Sequence, residues 1–442
     1  MIKKLACTLI ALLLLLSVSG CAGSSLLSKD DPVTLTMWHV YGEQADSPMN
    51  RLIQEFNETT GLENGVIINV TALSNGTDIG PMLRDAYANA PGALPMPDLF
   101  TCHTNNADEL GAENLINWTE LFSEEELSHY VDAFVKDGMV GDRLAAFPVS
   151  KSTHMLFING TQFDLFSKDT GVTYDDLATW EGFFAVAEAF HEWSGGKTFC
   201  AFDYLLRSVE LNAISKGETT FMAEDGWYDF EDAGLKDSWM QFASALAKGH
   251  IMVSDLYSNT QVMTGEVIAG MGSSAAILYY NDTVTYPDNT SEPTNLQILP
   301  MPRAESGEAL STQAGVGLCA LKTTEQKAEA AALFARWLTE GERNLTFVTE
   351  TGYMPVTKEA FAAIGSHDFT DPAYASLYAA LAEVQSSHAL VEEPNYTGYY
   401  DKVYTFYGLL REKQGEWKVR TQSGEDAAQF MEESWRIFES IG

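Results

Sequence analysis

Ser150, Lys151, Ser152 and Thr153 stand between two apolar runs, one closing on Phe147 and Pro148 and the other covering residues 155–158. A segment that only connects needs no particular residues at such a place. Three hydroxyls and one ammonium between segments that read as buried would instead present hydrogen-bonding groups to a bound molecule.

Motifs for covalent or metal chemistry are not supported to the same degree. His39 and His103 each follow a strand-like run, but neither has a second ligand at useful spacing, and His191-Glu192 lacks the second histidine of a zinc-protease helix. We expect no metal and no cofactor. Gly195-Gly196-Lys197-Thr198 resembles the end of a phosphate loop, but His191 stands where that motif needs its first glycine, so it reads as a surface turn. No Gly-x-Ser-x-Gly elbow occurs. A glycoside hydrolase would need two carboxylates facing each other across a cleft, and among 62 acidic residues no motif selects such a pair. A net charge of −36 repels nucleic acid and anionic lipid, which sets nucleic-acid binding aside.

The elements that would position these groups follow from periodicity. Residues 33–38 alternate as a strand does; Met49, Leu52, Ile53 and Phe56 recur at helical spacing, with Gly61 placed as a C-cap; residues 66–72 return to strand character. This βαβ beginning predicts a parallel sheet. A helix over 79–89 leads to a short strand at 97–101 that ends in polar residues, and open α/β sheets bind ligands at such strand ends. Residues 139–149 read as a hairpin turning at Gly141-Asp142. Thr179 is placed as a helix N-cap, and helices are expected around 205–214, 235–248 and 324–338. A buried strand is expected at 265–272, a loop at 286–295 and a strand at 296–300. There is no internal repeat.

At the N-terminus, Lys3 and Lys4 precede an apolar stretch at 5–16, too short to span a membrane, and small residues precede Cys21. This predicts a lipoprotein signal peptide over 1–21, with Cys21 lipidated, and a flexible tether over 22–31. The remaining Cys102, Cys200 and Cys319 are far apart and odd in number, so no disulfide framework is expected.

Nine features occur in order over most of the chain. They are Trp38-His39, Pro97-Asp98-Leu99-Phe100, Phe147-Pro148, Leu156-Phe157-Ile158-Asn159, Phe163 and Thr179-Trp180-Glu181; then residues 265–272, Leu299-Pro300-Met301-Pro302 and Gly352-Tyr353-Met354-Pro355. In these the chain resembles the extracellular solute-binding proteins, family 1, of ABC importers. The resemblance implies a type II periplasmic-binding-protein-like fold of class α/β: two lobes joined by a hinge, each a mixed sheet flanked by helices. It implies a first lobe of 32–149 with about 295–350 and a second of 150–294 with about 351–442, with crossings near Ser150, Leu296 and Gly352. The function implied is capture, without catalysis, of a small polar solute and its delivery to an ABC permease, by a monomer lipid-anchored on the extracellular face.

The subgroup that the chain resembles most is the glycerol-3-phosphate-binding proteins, on Trp38-His39, Lys151-Ser152-Thr153, Ser273-Ser274 and Tyr353. That likeness implies ligand contacts from Asp78, Thr104, Ser152, Ser273, Ser274, Gly315 and Tyr353, to which Trp38, His39, Tyr41, Lys151 and Tyr396 are added as cleft candidates. The acidic residue expected near Thr104 is missing, and the C-terminal arginine that clamps phosphate is replaced around Tyr396–Tyr400. A sugar or oligosaccharide is therefore weighed above glycerol-3-phosphate or a glycerophosphodiester. Sugars present apolar C–H faces to aromatic rings; Trp38, Tyr41, Tyr204, Trp227, Tyr279, Tyr280, Tyr353, Tyr396 and Tyr399 are the rings available, whereas Trp180, Trp193, Trp239 and Trp337 read as packing. A secreted carbohydrate-active enzyme and a solute sensor are the readings of another class.

Overall fold

The computed structural model describes residues 25–41, 47–71, 79–218, 221–222, 227–255, 257–394, 396 and 398–442. Cys21, the expected signal peptide and Asp78 lie outside the described residues.

Two five-stranded sheets form the frame. In the first, Val66–Val70, Val33–Trp38 and Leu99–Cys102 run parallel, and Gly317–Ala320 and Phe147–Pro148 complete the order, with Gly317–Ala320 antiparallel to both its neighbours. The second runs Leu296–Pro300, His154–Asn159, Ala269–Ser273, Cys200–Phe202, Ile251–Val253, antiparallel across its first two pairs and parallel across the last two. Their central strands are largely buried on both faces and so run mostly apolar, as in Phe157 and Ile158, rather than alternating.

The first helix, Pro48–Glu58, has Ser47 as its N-cap and buries Met49, Ile53 and Phe56. Gly61 is not its C-cap. Thr59 ends that helix, and Gly65, at φ +71°, ends the short helix Thr60–Asn64 that follows. Thr179 caps Trp180–Trp193 as expected, and Thr324 caps Glu325–Leu338. Trp180, Trp239 and Trp337 are buried, whereas Trp193 is exposed, its indole N–H donating to Asp169. The strand expected from Gly265 begins at Ala269, after the left-handed Gly265. The expected loop at 286–295 contains part of a hairpin, Thr283–Thr285 with Ser291–Pro293. The described part of the expected tether is docked: the Ser25 hydroxyl and Leu26 N–H donate to Glu329, and Gln326 donates to the carbonyls of Leu26 and Asp31.

The chain passes between the sheets three times. The first passage, residues 149–153, is the segment of four polar residues. The second was expected near Leu296, but Leu296–Pro300 pairs along its whole length with His154–Asn159 and so belongs to the second sheet; the return is made at Ala314, Gly315 and Val316. An apolar strand after a turn reads the same whichever sheet receives it. The third follows the helix Gly341–Thr351; residues 356–361 still pack on the first side, with Val356 O accepting from Val131 N–H and Phe361 against Phe134, before Pro372–Ser387 packs on Leu296–Pro300. From there Tyr399–Gln422 and Ala427–Glu439 pack against the helix Ala233–Lys248 in the core of the second sheet.

Gly352, which ends Gly341–Thr351 at the third passage, has φ +76°, and a Cβ there would stand 2.6 Å from Ser274 O and 2.4 Å from Ile277 Cγ2. Both the left-handed backbone and the neighbouring carbonyl exclude a side chain. Gly352→Ala should lower stability by about 2 kcal/mol, read from the urea midpoint at unchanged slope; an unshifted midpoint would contradict the assignment.

Candidate functional site

The three passages are laced together by backbone hydrogen bonds. Lys151 exchanges bonds with Met354 (N–H to Met354 O 3.3 Å, Met354 N–H to Lys151 O 2.6 Å), and Ser152 exchanges bonds with Ala314 at 2.9 Å in both directions. Gly315 keeps the passages close: its φ is +104°, and a Cβ would meet Ser152 N at 3.2 Å. The Ser274 N–H also donates to Thr153 O at 2.7 Å.

Above this lacing lies a cleft with walls from both sides. His103, Thr104, Asn105 and Asp137 come from the first sheet's loops and helices; Gln313, Ala314 and Gly315 from the return passage; Glu393, Pro394 and Tyr400 from the segment after the strand Ala389–Glu392. It continues, through Glu393, Pro394 and Tyr400, into a part lined by Tyr204, Arg207, Tyr399, Tyr404 and Tyr407. Each part has room for little more than a water molecule. A larger molecule enters only if the walls separate. They touch directly: the Tyr400 ring lies 5.7 Å from that of His103, and Lys136 pairs with Glu392 at 2.9 Å.

The cations of the cleft are committed. The Lys151 ammonium, buried, is ion-paired with Asp137 and lies 3.4 Å from Gly315 O. The Arg207 guanidinium donates to Thr312 Oγ1 (2.7 Å), Glu210 (2.8 Å) and the carbonyls of Val391 (2.7 Å) and Glu392 (2.6 Å). Glu210 in turn accepts from Tyr399 at 2.8 Å and from Tyr228. This fully bonded network holds the strands Leu310–Gln313 and Ala389–Glu392 to the helix Leu205–Ser215, and so fixes the floor of the cleft.

The acceptors are less committed. Gln313, fully buried, donates through Nε2 to Ala133 O at 3.0 Å, which orients the amide and leaves Oε1 with no hydrogen-bond partner. Asn105 Oδ1, also buried, has none either. Glu393 accepts from Tyr400 at 2.9 Å, and burial, the largest influence, raises its pKa. His154 Nε2 stands 4.0 Å from Glu393, but burial first, and the Arg207 charge second, lower its pKa to about 3, so the contact is not an ion pair at neutral pH. The imidazole stacks on Tyr204 at 4.5 Å.

Of the sequence candidates, Thr104 and Gly315 line the cleft, whereas Lys151 is buried behind it and reaches it only through Asp137, to whose carbonyl Thr104 donates at 2.8 Å. Ser152 lies beneath them in the lacing. Trp38 is 2 % exposed in the cluster with Ile79, Leu83 and Phe100. His39 accepts the Tyr41 N–H at Nδ1, so Nε2–H donates to Asn50 at 2.9 Å, and burial lowers its pKa. Tyr41 receives the Ser150 hydroxyl and packs edge-on against Tyr353 at 5.5 Å. Ser273 caps the turn after its strand through Ala275 N–H, and Tyr396 is exposed. The sequence reading missed Asp137, Gln313, Arg207 and Glu393. Arg207 and Glu210 carried a signal, a pair at i,i+3 that holds the only charges of the helix Leu205–Ser215; the other three carried none.

Comparison with known proteins agrees with this architecture. The family model of bacterial extracellular solute-binding proteins matches residues 51–376. No curated protein matches the sequence. Among solved structures, the chain is similar to the cyclic α-maltosyl-1,6-maltose binding protein of Arthrobacter globiformis (16% identity, TM-score 0.67, covering 93% of this chain and 99% of that one). It is similar also to an ABC substrate-binding protein of Listeria monocytogenes in complex with cycloalternan (14%, 0.68, 93% and 100%), and to UgpB of Mycobacterium tuberculosis in complex with glycerophosphocholine (15%, 0.65, 93% and 98%). At these identities the likeness is one of fold: the two-lobed α/β fold of the periplasmic-binding proteins.

Two measurements probe the site. Lys151→Met leaves the partly buried Asp137 without its partner and should cost about 3 kcal/mol, whereas Lys151→Met with Asp137→Leu should cost clearly less than the two single changes added; additive losses in urea unfolding would contradict the pairing. Between pH 6.5 and about 3 the unfolded chain binds a proton that buried His154 refuses, so stability falls as pH drops through that window. His154→Gln should flatten that part of the stability-against-pH curve, and an unchanged slope would contradict it.

Proposed function

The chain belongs to the bacterial extracellular solute-binding protein family, and we propose that it is the sugar- or oligosaccharide-capturing component of an ABC importer. The observation that carries this reading is the polarity of the cleft: Gln313 Oε1, Asn105 Oδ1 and Glu393 offer acceptors, while Lys151 and Arg207 are already neutralised by Asp137 and Glu210. A polyhydroxylated neutral solute supplies the missing donors, and tyrosines at 204, 400 and 404 offer apolar surface for its C–H faces. A phosphate ester would bring charge to a site whose cations are spent, although UgpB, in complex with glycerophosphocholine, shares the fold. Glycerol-3-phosphate and glycerophosphodiesters are therefore the second reading.

The rest of the proposal follows the family. The chain acts outside the cytoplasm, anchored through Cys21, and closes its lobes on the solute before delivery to a membrane permease. On this reading 32–148 with 317–351 form the first lobe, together with residues 356–361, which bond to His129 and Val131 and pack on Phe134, and 154–313 with 372–442 form the second. No helix among the described residues is long and apolar enough to cross a membrane.

A thermal-shift panel of neutral mono- and oligosaccharides and of phosphate esters tests the ligand class. A ligand at a hundred times its dissociation constant should add about 2.7 kcal/mol. Stabilisation by a neutral sugar, weakened about tenfold in affinity by Glu393→Gln, is the expected result. Stabilisation by phosphate esters alone would overturn it.

A further inference from the structure

Cys102 and Cys319 lie on adjacent antiparallel strands of the first sheet. The register sets Phe100 opposite Cys319 and Cys102 opposite Gly317, so the two cysteines are diagonal neighbours on the same face. Gly317 puts no side chain across from Cys102, and the two sulfurs stand 3.6 Å apart, both fully buried. A disulfide bond is about 2.05 Å, so closing the pair needs the sulfurs to approach by about 1.5 Å. Cys200 lies in the other sheet, its thiol directed at Ala201 O.

We propose that Cys102 and Cys319 are joined by a disulfide in the exported protein and that Cys200 stays reduced. The location outside the cytoplasm, on which this rests, is one where such bonds persist. An odd number of cysteines excludes complete pairing but not a single bridge. The oxidant is a low-molecular-weight or protein disulfide. One cysteine thiolate attacks it, forming a mixed disulfide and releasing one thiolate; the second cysteine thiolate attacks the mixed disulfide and releases the other. The two electrons and the two protons of the cysteine thiols pass to the departing pair, which leaves as two thiols. Because both sulfurs are inaccessible in the folded chain, the exchange takes place during folding. The bond would close a loop across 217 positions. It would fasten the strand that leads into His103, Thr104 and Asn105 to the strand that follows Gly315, which makes the first-lobe side of the cleft one rigid piece.

The test is peptide mapping of the full chain, exported by a bacterial host, denatured in an alkylating reagent without reductant and digested. The expected result is a peptide pair joined through Cys102 and Cys319, two hydrogens lighter than its separate halves and released by reduction, with Cys200 alkylated. Alkylation of both Cys102 and Cys319, or any bridge that includes Cys200, would overturn the proposal. Neither outcome depends on which solute the cleft takes.

Discussion

The exchange of backbone hydrogen bonds at Lys151 and Ser152 is the constraint on which the rest of the structure depends. Two adjacent residues of the first passage bind the other two passages, through Met354 on one side and Ala314 on the other. Three separate stretches of chain thereby become one short, sheet-like connection. Such a connection resists sliding while leaving rotation about it open, which is the mechanical requirement of a hinge. The residues around it fit the constraint. Gly315 and Gly352 take left-handed backbone, where a Cβ would crowd Ser152 N in the first case and collide with Ser274 O in the second, and the Lys151 ammonium turns aside to Asp137.

The same arrangement sets the chemistry of the cleft. Buried cations must be paired, and Lys151 and Arg207 are, so both act as struts. What is left facing the cleft is a set of acceptors held by rigid neighbours: Gln313 oriented by Ala133, and Glu393 by Tyr400. Unpaired buried acceptors cost free energy in the absence of a donor, and that cost is recovered when a hydroxyl arrives.

Much of the framework was legible in the sequence because it is local. Thr179 announces a helix start by its own hydrogen bond, and the buried strands at 154–159 and 296–300 show as apolar runs. The first passage was legible as well, since polar residues between buried runs are unusual. The second was not, because the pairing of Leu296–Pro300 with His154–Asn159 is a long-range choice that apolar residues do not encode individually. The site was legible only in part for the same reason. Thr104, Lys151 and Gly315 sit at element ends that patterns reveal, whereas Asp137, Gln313 and Glu393 become neighbours only when distant segments meet, and each alone looks like an ordinary surface residue. Trp38 and His39 drew attention by type, yet Trp38 serves packing and His39 serves the loop that carries Tyr41.

Hydrogen–deuterium exchange of the protein with and without a stabilising oligosaccharide tests the central claim most directly, that a solute held between the two walls closes them about a laced hinge. The account predicts strong protection of the backbone at Lys151, Ser152, Ala314 and Met354 in both states, with ligand-dependent protection concentrated at His103, Asn105, Glu393 and Tyr400. Rapid exchange at the passages, or ligand protection confined to the outer face of one lobe, would contradict it.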